Sequence, residues 1–305
     1  MAVEAGDGRL LIPAKLAATV VAWEGEPGRL WLEQLPRLVA EVAAAWELAV
    51  GSPFEPGGNI SWVAPARRRS DGSAVVLKVQ HPHPESEPEA DALRAWAGAG
   101  AVRLLDRDPD RRALLLERCR PGTSLWDEGG TLDAARAGAA LGARLHAALP
   151  PHGVPSLASV LGRWADEVEH RSARQGPWID PALVSMGVAV MRSSSPRHVL
   201  LHGDLNPTNV LSAEREPWLA IDPKPMVGDP ARDGARLVLQ PGPRGPAELR
   251  DRLGVVAEAL HVDTGRLAEW CVADAVEMAI SGQATGDPER AARCAAQAAM
   301  VARLL

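Results

Sequence analysis

Residues 199–212, VLLHGDLNPTNVLS, place polar side chains between two apolar segments. Val199 to Leu201 have the pattern of a buried strand, and the apolar pattern resumes at Val210. The polar residues between them are His202, Asp204, Asn206 and Asn209. Buried polar groups cost free energy unless they are hydrogen-bonded. A chain that places them between core segments must therefore satisfy them locally or use them for chemistry.

Phosphoryl transfer from a nucleotide requires residues of these types. It needs a carboxylate that orients the attacking hydroxyl, oxygen ligands for Mg²⁺ and a cation on the phosphates. Asp204 and Asn209, five residues apart, have the spacing of a kinase catalytic loop. Asp222 ends a second apolar segment, over 218–221. We expect a hairpin near 198–222 to bring these three side chains to one rim, where their oxygen atoms suit Mg²⁺.

Each of these residues also has a structural explanation. Asp222 precedes a proline and can cap a turn, and Asn209 can serve as a turn residue. His202 is interpreted as a structural histidine that bonds to the backbone, and Gly203 as a position of close backbone approach. The agreement in residue type, order and spacing favours the catalytic interpretation of Asp204 and its two neighbours.

Lys78 supplies the cation that phosphoryl transfer requires. It lies in the apolar strand AVVLKVQ, over 74–80, where an unpaired lysine would be costly. Glu89, at the start of the next predicted helix, is the expected partner, although Glu85 and Glu87 lie close by. The alternative is a lysine on an edge strand that faces water.

Hydrophobic periodicity divides the chain into an α+β part and a mostly helical part. Strand pairs around an SDG turn and a DPD turn predict an antiparallel sheet within 1–117. A short connector over 118–122 leads to 123–305, where helices accompany one small hairpin. Helices are predicted over 29–47, 89–96, 131–149, 157–172, 181–192, 246–260, 264–281 and 287–304, with Thr131 and Asp287 as N-caps.

Composition narrows the class of protein. No apolar run reaches the ~18 residues of a membrane span, and the N-terminal residues lack a signal-peptide pattern, so we expect a cytoplasmic protein. Cys119, Cys271 and Cys294 are far apart and are expected to be reduced thiols. A net charge of −6 argues against nucleic-acid binding.

The negative charge is concentrated in one segment. Residues 251–290 contain eight acidic residues against three arginines, a net charge of −5. An acidic surface attracts cationic small molecules, although solvated helix faces would explain the same composition.

The segments HGDLNPTNVL, AIDPKP and GDPARD together closely resemble the aminoglycoside phosphotransferase family, which has a protein-kinase-like fold. The resemblance extends over about residues 30–300. The run EREPWLAIDPKP is similar to the branch that contains streptomycin 6-kinases and hydroxyurea phosphotransferases. The resemblance implies a bilobal α+β protein: an N-lobe with a small antiparallel sheet over 1–117, a connector over 118–122 and a larger, mainly helical C-lobe over 123–305.

The resemblance also implies roles for individual residues. Asp204 would be the catalytic base, and Asn209 and Asp222 the Mg²⁺ ligands. Lys78 would contact the nucleotide phosphates, with Glu89 as its helix partner. The N-lobe would bind nucleotide, and the C-lobe would carry catalysis and substrate binding.

Further positions are matched to nucleotide binding and to support of the catalytic loop. The additional nucleotide-binding residues are Gly57, Gly58, Asn59, Ser61, Glu117 and Cys119. The first four form a GGNIS loop over the phosphates, which departs from the kinase G-x-G-x-x-G pattern, and the last two belong to the connector that holds the nucleobase. Asp233 resembles the acid that braces the catalytic loop, His202 is a further support, and His146 resembles a core histidine. Asp229 is interpreted as a turn residue.

The implied reaction transfers the γ-phosphoryl group of ATP, with Mg²⁺, to a hydroxyl of an aminoglycoside, with streptomycin as the expected acceptor. GTP remains open as the donor. Asp274 and Glu277, at i and i+3 of one predicted helix, are the candidate contacts to this cationic substrate. The alternatives are the same reaction on hydroxyurea or another metabolite, a kinase-like binding protein without turnover, and a metal-dependent hydrolase. We expect a monomer that binds neither nucleic acid nor membrane.

Overall fold

The chain folds into two compact units. The computed structural model describes residues 10–129, 131–193, 195 and 197–305. Unit 1 extends to Gly98 and continues over Val102–Cys119, whereas unit 2 comprises Ala99–Ala101 and Arg120–Leu305. The sequence predicts that residues 99–101 belong to the N-lobe, over 1–117. They belong to unit 2 because the N–H of Ala220 donates to the carbonyl of Gly100 at 2.8 Å.

Unit 1 contains a five-stranded antiparallel sheet. Its strands are β1 (Leu48–Val50), β2 (Ser61–Arg68), β3 (Ala74–Gln80), β4 (Leu104–Asp108) and β5 (Ala113–Glu117). The order is β1-β2-β3-β5-β4, and both predicted strand pairs are present. Lys78 lies in the central strand, opposite Val63 and Leu114, which excludes the edge-strand alternative.

Three described helices belong to unit 1: α1 (Ala14–Glu24), α2 (Glu26–Ala45) and α3 (Glu89–Trp96). α2 begins three residues before the predicted 29–47, and α3 matches the predicted 89–96. Leu35 of α2 packs with Leu16 and Trp62 in the hydrophobic core. The apolar residues of α1 do not concentrate on one face, so the sequence pattern did not predict this helix.

Unit 2 is mainly helical. Its helices are α4 (Leu132–Leu145), α5 (Leu157–Gln175), α6 (Pro181–Met191), α7 (Ala231–Leu239), α8 (Pro246–Leu260), α9 (Thr264–Ala284) and α10 (Pro288–Ala302). The side chains of Thr131 and Asp287 accept hydrogen bonds from backbone N–H groups at 3.1 and 3.0 Å, which confirms both predicted N-caps. Across the described ranges, every helix is too short or too polar to span a membrane.

A hairpin lies within the predicted range 198–222, but it is formed by a second strand pair and leaves out residues 199–201. Strand β6 (Val199–Leu201) pairs with β9 (Met226–Gly228), and β7 (Val210–Ser212) pairs with β8 (Trp218–Ala220). The predicted pairing of the first strand is therefore wrong, because β9 occupies its edge. Helix α7, which carries Asp233 and Arg236, was also not predicted from the sequence.

Candidate active site

The backbone of the 202–204 segment is fixed by one buried carboxylate. Asp233 accepts hydrogen bonds from the backbone N–H groups of His202 at 2.8 Å and Gly203 at 2.9 Å. His146 contributes a third contact through Nε2, at 3.0 Å. Burial alone would raise the pKa of Asp233, but the His146 hydrogen bond and nearby histidines lower it. Asp233 therefore holds this segment as an anion.

The backbone geometry at position 203 requires a glycine. Its φ of 78° lies in the left-handed region, and a Cβ at this position would lie 1.9 Å from the carbonyl oxygen of Lys224. The backbone N–H of Lys224 donates to the carbonyl of His202 at 2.8 Å. The glycine thus permits the close approach that the sequence analysis predicts, and it brings Lys224 next to the loop.

His202 is enclosed within unit 2. Its Nε2 lies 3.0 Å from the carbonyl oxygen of Ile221, and its Nδ1 accepts the backbone N–H of Asp204 at 3.3 Å. A ring that donates at Nε2 and accepts at Nδ1 is a neutral imidazole. Burial lowers the pKa of His202, which agrees with this form. Its contacts are those of a support for the loop.

The Asp204 carboxylate receives four hydrogen-bond donors. Oδ1 accepts from Arg236 Nη1 and, at 3.1 Å, from Asn206 Nδ2. Oδ2 accepts from Lys224 Nζ at 2.7 Å and from Asn209 Nδ2 at 3.2 Å. Two of these donors are cations. A carboxylate offers about four lone-pair sites, so each site of Asp204 has a donor.

These cations determine the charge of Asp204. Burial would raise its pKa, but Arg236 and then Lys224 lower it far below the ordinary value. Asp204 is therefore an anion at any physiological pH. A carboxylate in this state can orient a hydroxyl group by accepting its hydrogen bond.

Sequence reasoning missed Lys224 and Arg236. A signal for Lys224 exists in the composition: of 33 lysine and arginine residues, only Lys15, Lys78 and Lys224 are lysines. Two of these three lie in buried or partly buried ion pairs with carboxylates. Arg236 has no comparable signal, because it is one of many arginines and lies 32 residues from Asp204.

Arg236 is itself held by a buried acid. Its Nε donates to Asp274 Oδ1 at 3.2 Å, and Arg232 Nη2 lies 3.2 Å from the same oxygen. Asp274 is 5% exposed. Its charge is thus used inside the protein, which leaves the predicted substrate contact at Asp274 without an exposed carboxylate.

Glu277 and Asp274 both lie on α9, but their carboxylates differ in exposure and in hydrogen bonding. It is partly exposed, and within the described ranges neither a hydrogen bond nor a salt bridge holds its carboxylate. Burial raises its pKa, and Arg236 opposes the shift. Of the two predicted substrate contacts, Glu277 is the more exposed residue.

The predicted metal ligands lie at the same end of the β7–β8 ribbon. Asn209 precedes β7 and Asp222 follows β8, and the N–H of Ile221 donates to the carbonyl of Asn209 at 2.9 Å. Asp222 adopts a left-handed φ of 53°, a conformation that aspartate tolerates better than most residues. Because Asn209 donates to Asp204 through its amide nitrogen, its amide oxygen stays available as a ligand.

The lysine of unit 1 forms a closed ion pair. Lys78 Nζ donates to both carboxylate oxygens of Glu89, at 2.8 and 2.6 Å, and Gln80 Nε2 donates to the same group at 2.6 Å. The side chains of Lys78 and Glu89 are 4% and 2% exposed. Glu87 is instead exposed and lies 3.6 Å from Arg112, so Glu89 is the partner that the fold selects.

The remaining predicted nucleotide contacts all belong to unit 1. Gly58 and Asn59 precede β2, and Ser61 is its first, buried residue. The Glu117 side chain accepts the backbone N–H of Arg103 at 3.0 Å, which turns its carboxylate back into the unit. Cys119, two residues further along, is buried.

Comparison with known proteins agrees with this geometry. A family model described as "Aminoglycoside/hydroxyurea antibiotic resistance kinase" matches residues 50–286. The chain is 36% identical to a streptomycin 6-kinase of Streptomyces griseus over 279 residues, which covers 86% of this chain and 87% of that protein. It is 39% identical to a hydroxyurea phosphotransferase of Kitasatospora aureofaciens over 232 residues, which covers 72% and 65%.

Solved structures show a similar fold at low identity. An aminoglycoside phosphotransferase in a ternary complex with ADP and hygromycin B has a TM-score of 0.61 at 15% identity, covering 87% of this chain and 97% of that one. A choline kinase from Streptococcus pneumoniae has a TM-score of 0.62 at 15% identity, covering 87% and 99%. These likenesses confirm the predicted α+β, protein-kinase-like fold class.

Proposed function

Because the chain belongs to the aminoglycoside/hydroxyurea antibiotic resistance kinase family, we propose that it transfers the γ-phosphoryl group of ATP to a hydroxyl of streptomycin, at position 6. The observation that carries this proposal is the Asp204 carboxylate, held anionic on a loop braced by Asp233 and bonded by Asn209, which shares one end of the β7–β8 ribbon with Asp222. The streptomycin 6-kinase relative supports the choice of acceptor.

In the proposed reaction, Asp204 accepts a hydrogen bond from the acceptor hydroxyl and directs its oxygen at the γ-phosphorus. The new oxygen–phosphorus bond forms as the bond to the β–γ bridging oxygen breaks, and ADP leaves with that electron pair. The hydroxyl proton passes to Asp204 and then to water. His202 contributes no proton, since both of its ring nitrogens are occupied within the fold.

The donor set around Asp204 fits a magnesium ion. Asn209 and Asp222 would hold it through their side-chain oxygens, the type of ligand that Mg²⁺ prefers. No group of three His, Cys, Asp or Glu residues in the described ranges could hold a metal, but Mg²⁺ commonly uses only one or two protein ligands plus phosphates and water. When bound, the ion neutralises charge on the phosphates. Lys78, kept extended by Glu89, is the proposed phosphate contact of unit 1.

For the acceptor, we assign the substrate contact to Glu277. Streptomycin carries guanidino groups, and a partly exposed carboxylate can receive two parallel hydrogen bonds from a guanidinium. Asp274 would act indirectly, by fixing Arg236 against Asp204. Hydroxyurea is the second candidate acceptor, because of the 39% identical hydroxyurea phosphotransferase.

A nucleotide-consumption assay across an acceptor panel tests the proposal. The purified chain is incubated with ATP, Mg²⁺ and, in parallel, streptomycin, hygromycin B, hydroxyurea or no acceptor, and products are identified by mass and NMR. We expect ADP and a streptomycin monophosphate in equal amounts. ADP formation with hydroxyurea alone would transfer the assignment to the second candidate. Absence of acceptor-dependent ADP with every compound would overturn the kinase assignment.

A further inference from the structure

We propose that Asn206 is a positioning residue for the proposed base: together with Asn209, its amide group sets the rotation of the Asp204 carboxylate. The inference rests on the proposed function, because it assigns a role within that reaction. It starts from an arrangement in which the same two amides bond both the carboxylate and the backbone carbonyl of Asp204.

The two amides bind Asp204 in the same way, one at each carboxylate oxygen. Asn206 Nδ2 donates to the backbone carbonyl of Asp204 at 3.1 Å and to Oδ1 at 3.1 Å. Asn209 Nδ2 donates to the same carbonyl at 3.0 Å and to Oδ2 at 3.2 Å. A side-chain amide has two N–H donors, so these four bonds use the donors of both residues. We call the two side chains the amide clamp, because they tie each carboxylate oxygen to the backbone of Asp204.

Asn206 is fixed at its other end as well. Its amide oxygen accepts the backbone N–H of Thr208 at 2.9 Å and the Thr208 hydroxyl at 2.6 Å. Because a backbone N–H can only donate, this contact defines which end of the amide faces Asp204. Asn206 is 8% exposed, and its two donors and two lone pairs are all engaged. A buried polar group with every hydrogen bond made is held rigidly.

The amide oxygens distinguish the two residues of the clamp. That of Asn209 is the proposed Mg²⁺ ligand, whereas that of Asn206 is bonded within the turn over Pro207–Asn209 that it caps. Loss of Asn209 would therefore alter the ion and the carboxylate together. Asn206 is the position at which the orientation of the base can be tested separately from metal binding.

The cations at Asp204 have a different task from the amides. Arg236 and Lys224 lie 32 and 20 residues away along the chain, and they hold the carboxylate ionised. The amides lie two and five residues from Asp204 and bond its main chain as well as its carboxylate. They therefore fix the angle between the carboxylate and its own backbone.

This angle matters for the reaction. The χ2 torsion of an aspartate is broad and roughly two-fold, so a carboxylate without such bonds takes a range of angles. The acceptor hydroxyl has to meet a lone pair of Asp204 while its oxygen points at the γ-phosphorus. An acceptor held by its own contacts cannot follow a carboxylate that has turned, whereas a water molecule can. Loss of the clamp should therefore slow transfer to the acceptor much more than transfer to water.

The test uses Asn206→Ser and Asn206→Asp. Both keep a side-chain oxygen that can cap the turn, and both remove the amide donor. Asp180→Ser, at the exposed N-cap of α6, is the matched control. Three quantities are measured: kcat and KM for the acceptor that the panel assay identifies, the rate of acceptor-independent ADP formation, and the Mg²⁺ concentration that gives half the maximal rate. Urea denaturation checks that each variant is folded.

We expect both Asn206 variants to lose about 10²-fold in kcat with KM nearly unchanged, because a small misplacement of a reacting group has an effect of this size. Acceptor-independent ADP formation and the Mg²⁺ requirement should stay within about threefold of the wild type. The control should match the wild type in all three quantities.

Three results would overturn the role of Asn206. Equal losses of transfer and of acceptor-independent ADP formation would show damage to the whole site, and a raised Mg²⁺ requirement would assign Asn206 to the ion. A kcat within about threefold of the wild type would show that the clamp does not orient the base. In each case, acceptor-dependent ADP formation by the wild type still supports the kinase assignment. A wild type without it overturns both.

Discussion

The protein contains two lysine–carboxylate pairs that differ in how firmly they are closed. In unit 1, Lys78 and Glu89 are 4% and 2% exposed, and Gln80 shares the carboxylate. In unit 2, Lys224 and Asp204 are 28% and 9% exposed, and Arg236 binds the other oxygen of the same carboxylate. Asp204 therefore lies between two cations, Lys224 and Arg236, whereas Lys78 contacts both oxygens of Glu89.

The difference shows that a lysine–carboxylate pair can serve either structure or catalysis. A closed pair fixes the position of its lysine, because either partner left alone would be a buried, uncompensated charge. A carboxylate bound by two cations, as Asp204 is, stays ionised and can orient a hydroxyl group. We therefore expect loss of structure when the first pair is broken and loss of rate when the second is broken.

The largest effect is expected at Asp204. Asp204→Ala should lower kcat roughly 10³–10⁴-fold, because the acceptor hydroxyl loses the group that orients it and takes its proton. Nucleotide affinity should change little, which calorimetry with ADP measures. Asp251→Asn, at an exposed acid on α8, is the control and should keep full activity. Full turnover by Asp204→Ala would contradict the assigned base and the contrast between the two pairs.

Breaking the Lys78–Glu89 pair should lower the free energy of unfolding. Lys78→Met leaves Glu89 buried without its cation and should lower the free energy of unfolding by about 3–5 kcal/mol, measured by urea denaturation. The double variant Lys78→Met/Glu89→Leu should recover most of that loss without recovering activity, since no buried charge remains. Arg29→Met, which breaks an exposed pair with Glu26, should leave the unfolding curve unchanged. Equal instability of the single and double variants would show that buried charge is not the cause.

Asp233 is a third buried acid, and its partners include backbone N–H groups. Its pKa is lowered in the folded protein, so its contribution to stability is present above the ordinary value of 3.8 and is lost as the pH falls below it. At pH 7, Asp233→Asn should lose about 1–3 kcal/mol, because a buried N–H faces an amide donor. The gap in urea midpoint between variant and wild type should narrow as the pH falls through 3.8 and below it. A gap that stayed constant with pH would show that Asp233 is not charged in the fold.

The smallest effect is expected at Glu277, whose carboxylate has no hydrogen bond or salt bridge among the described residues. Glu277→Gln should raise the KM for streptomycin roughly threefold to tenfold with kcat nearly unchanged, the size of a partly screened charge contact. Glu289→Gln, at an exposed acid of the same acidic segment, should leave KM as it is. If both variants behave alike, the general charge of the segment attracts the substrate and Glu277 makes no specific contact.

Several elements could be predicted from local patterns. The apolar spacing gives α3 and α8 with their observed bounds, and the side-chain caps Thr131 and Asp287 mark the starts of α4 and α10. The Lys78–Glu89 pairing also follows, because a lysine in an apolar strand needs an acid and Glu89 begins the next helix. The acidic segment is less informative than its charge suggests. Asp263 and Asp287 cap helices, and Asp274 is ion-paired within the fold.

The sequence alone determined the order of the catalytic elements and their residue types, because spacing of five residues and short apolar runs are local properties of a chain. Only the tertiary structure decided which strand β6 pairs with, and that Arg236 and Lys224 both reach Asp204. Three-residue strands carry too little pattern to specify a partner. Contacts between residues 20 and 32 positions apart depend on how α7, α9 and the 222–225 turn pack, and that packing is a property of the whole unit.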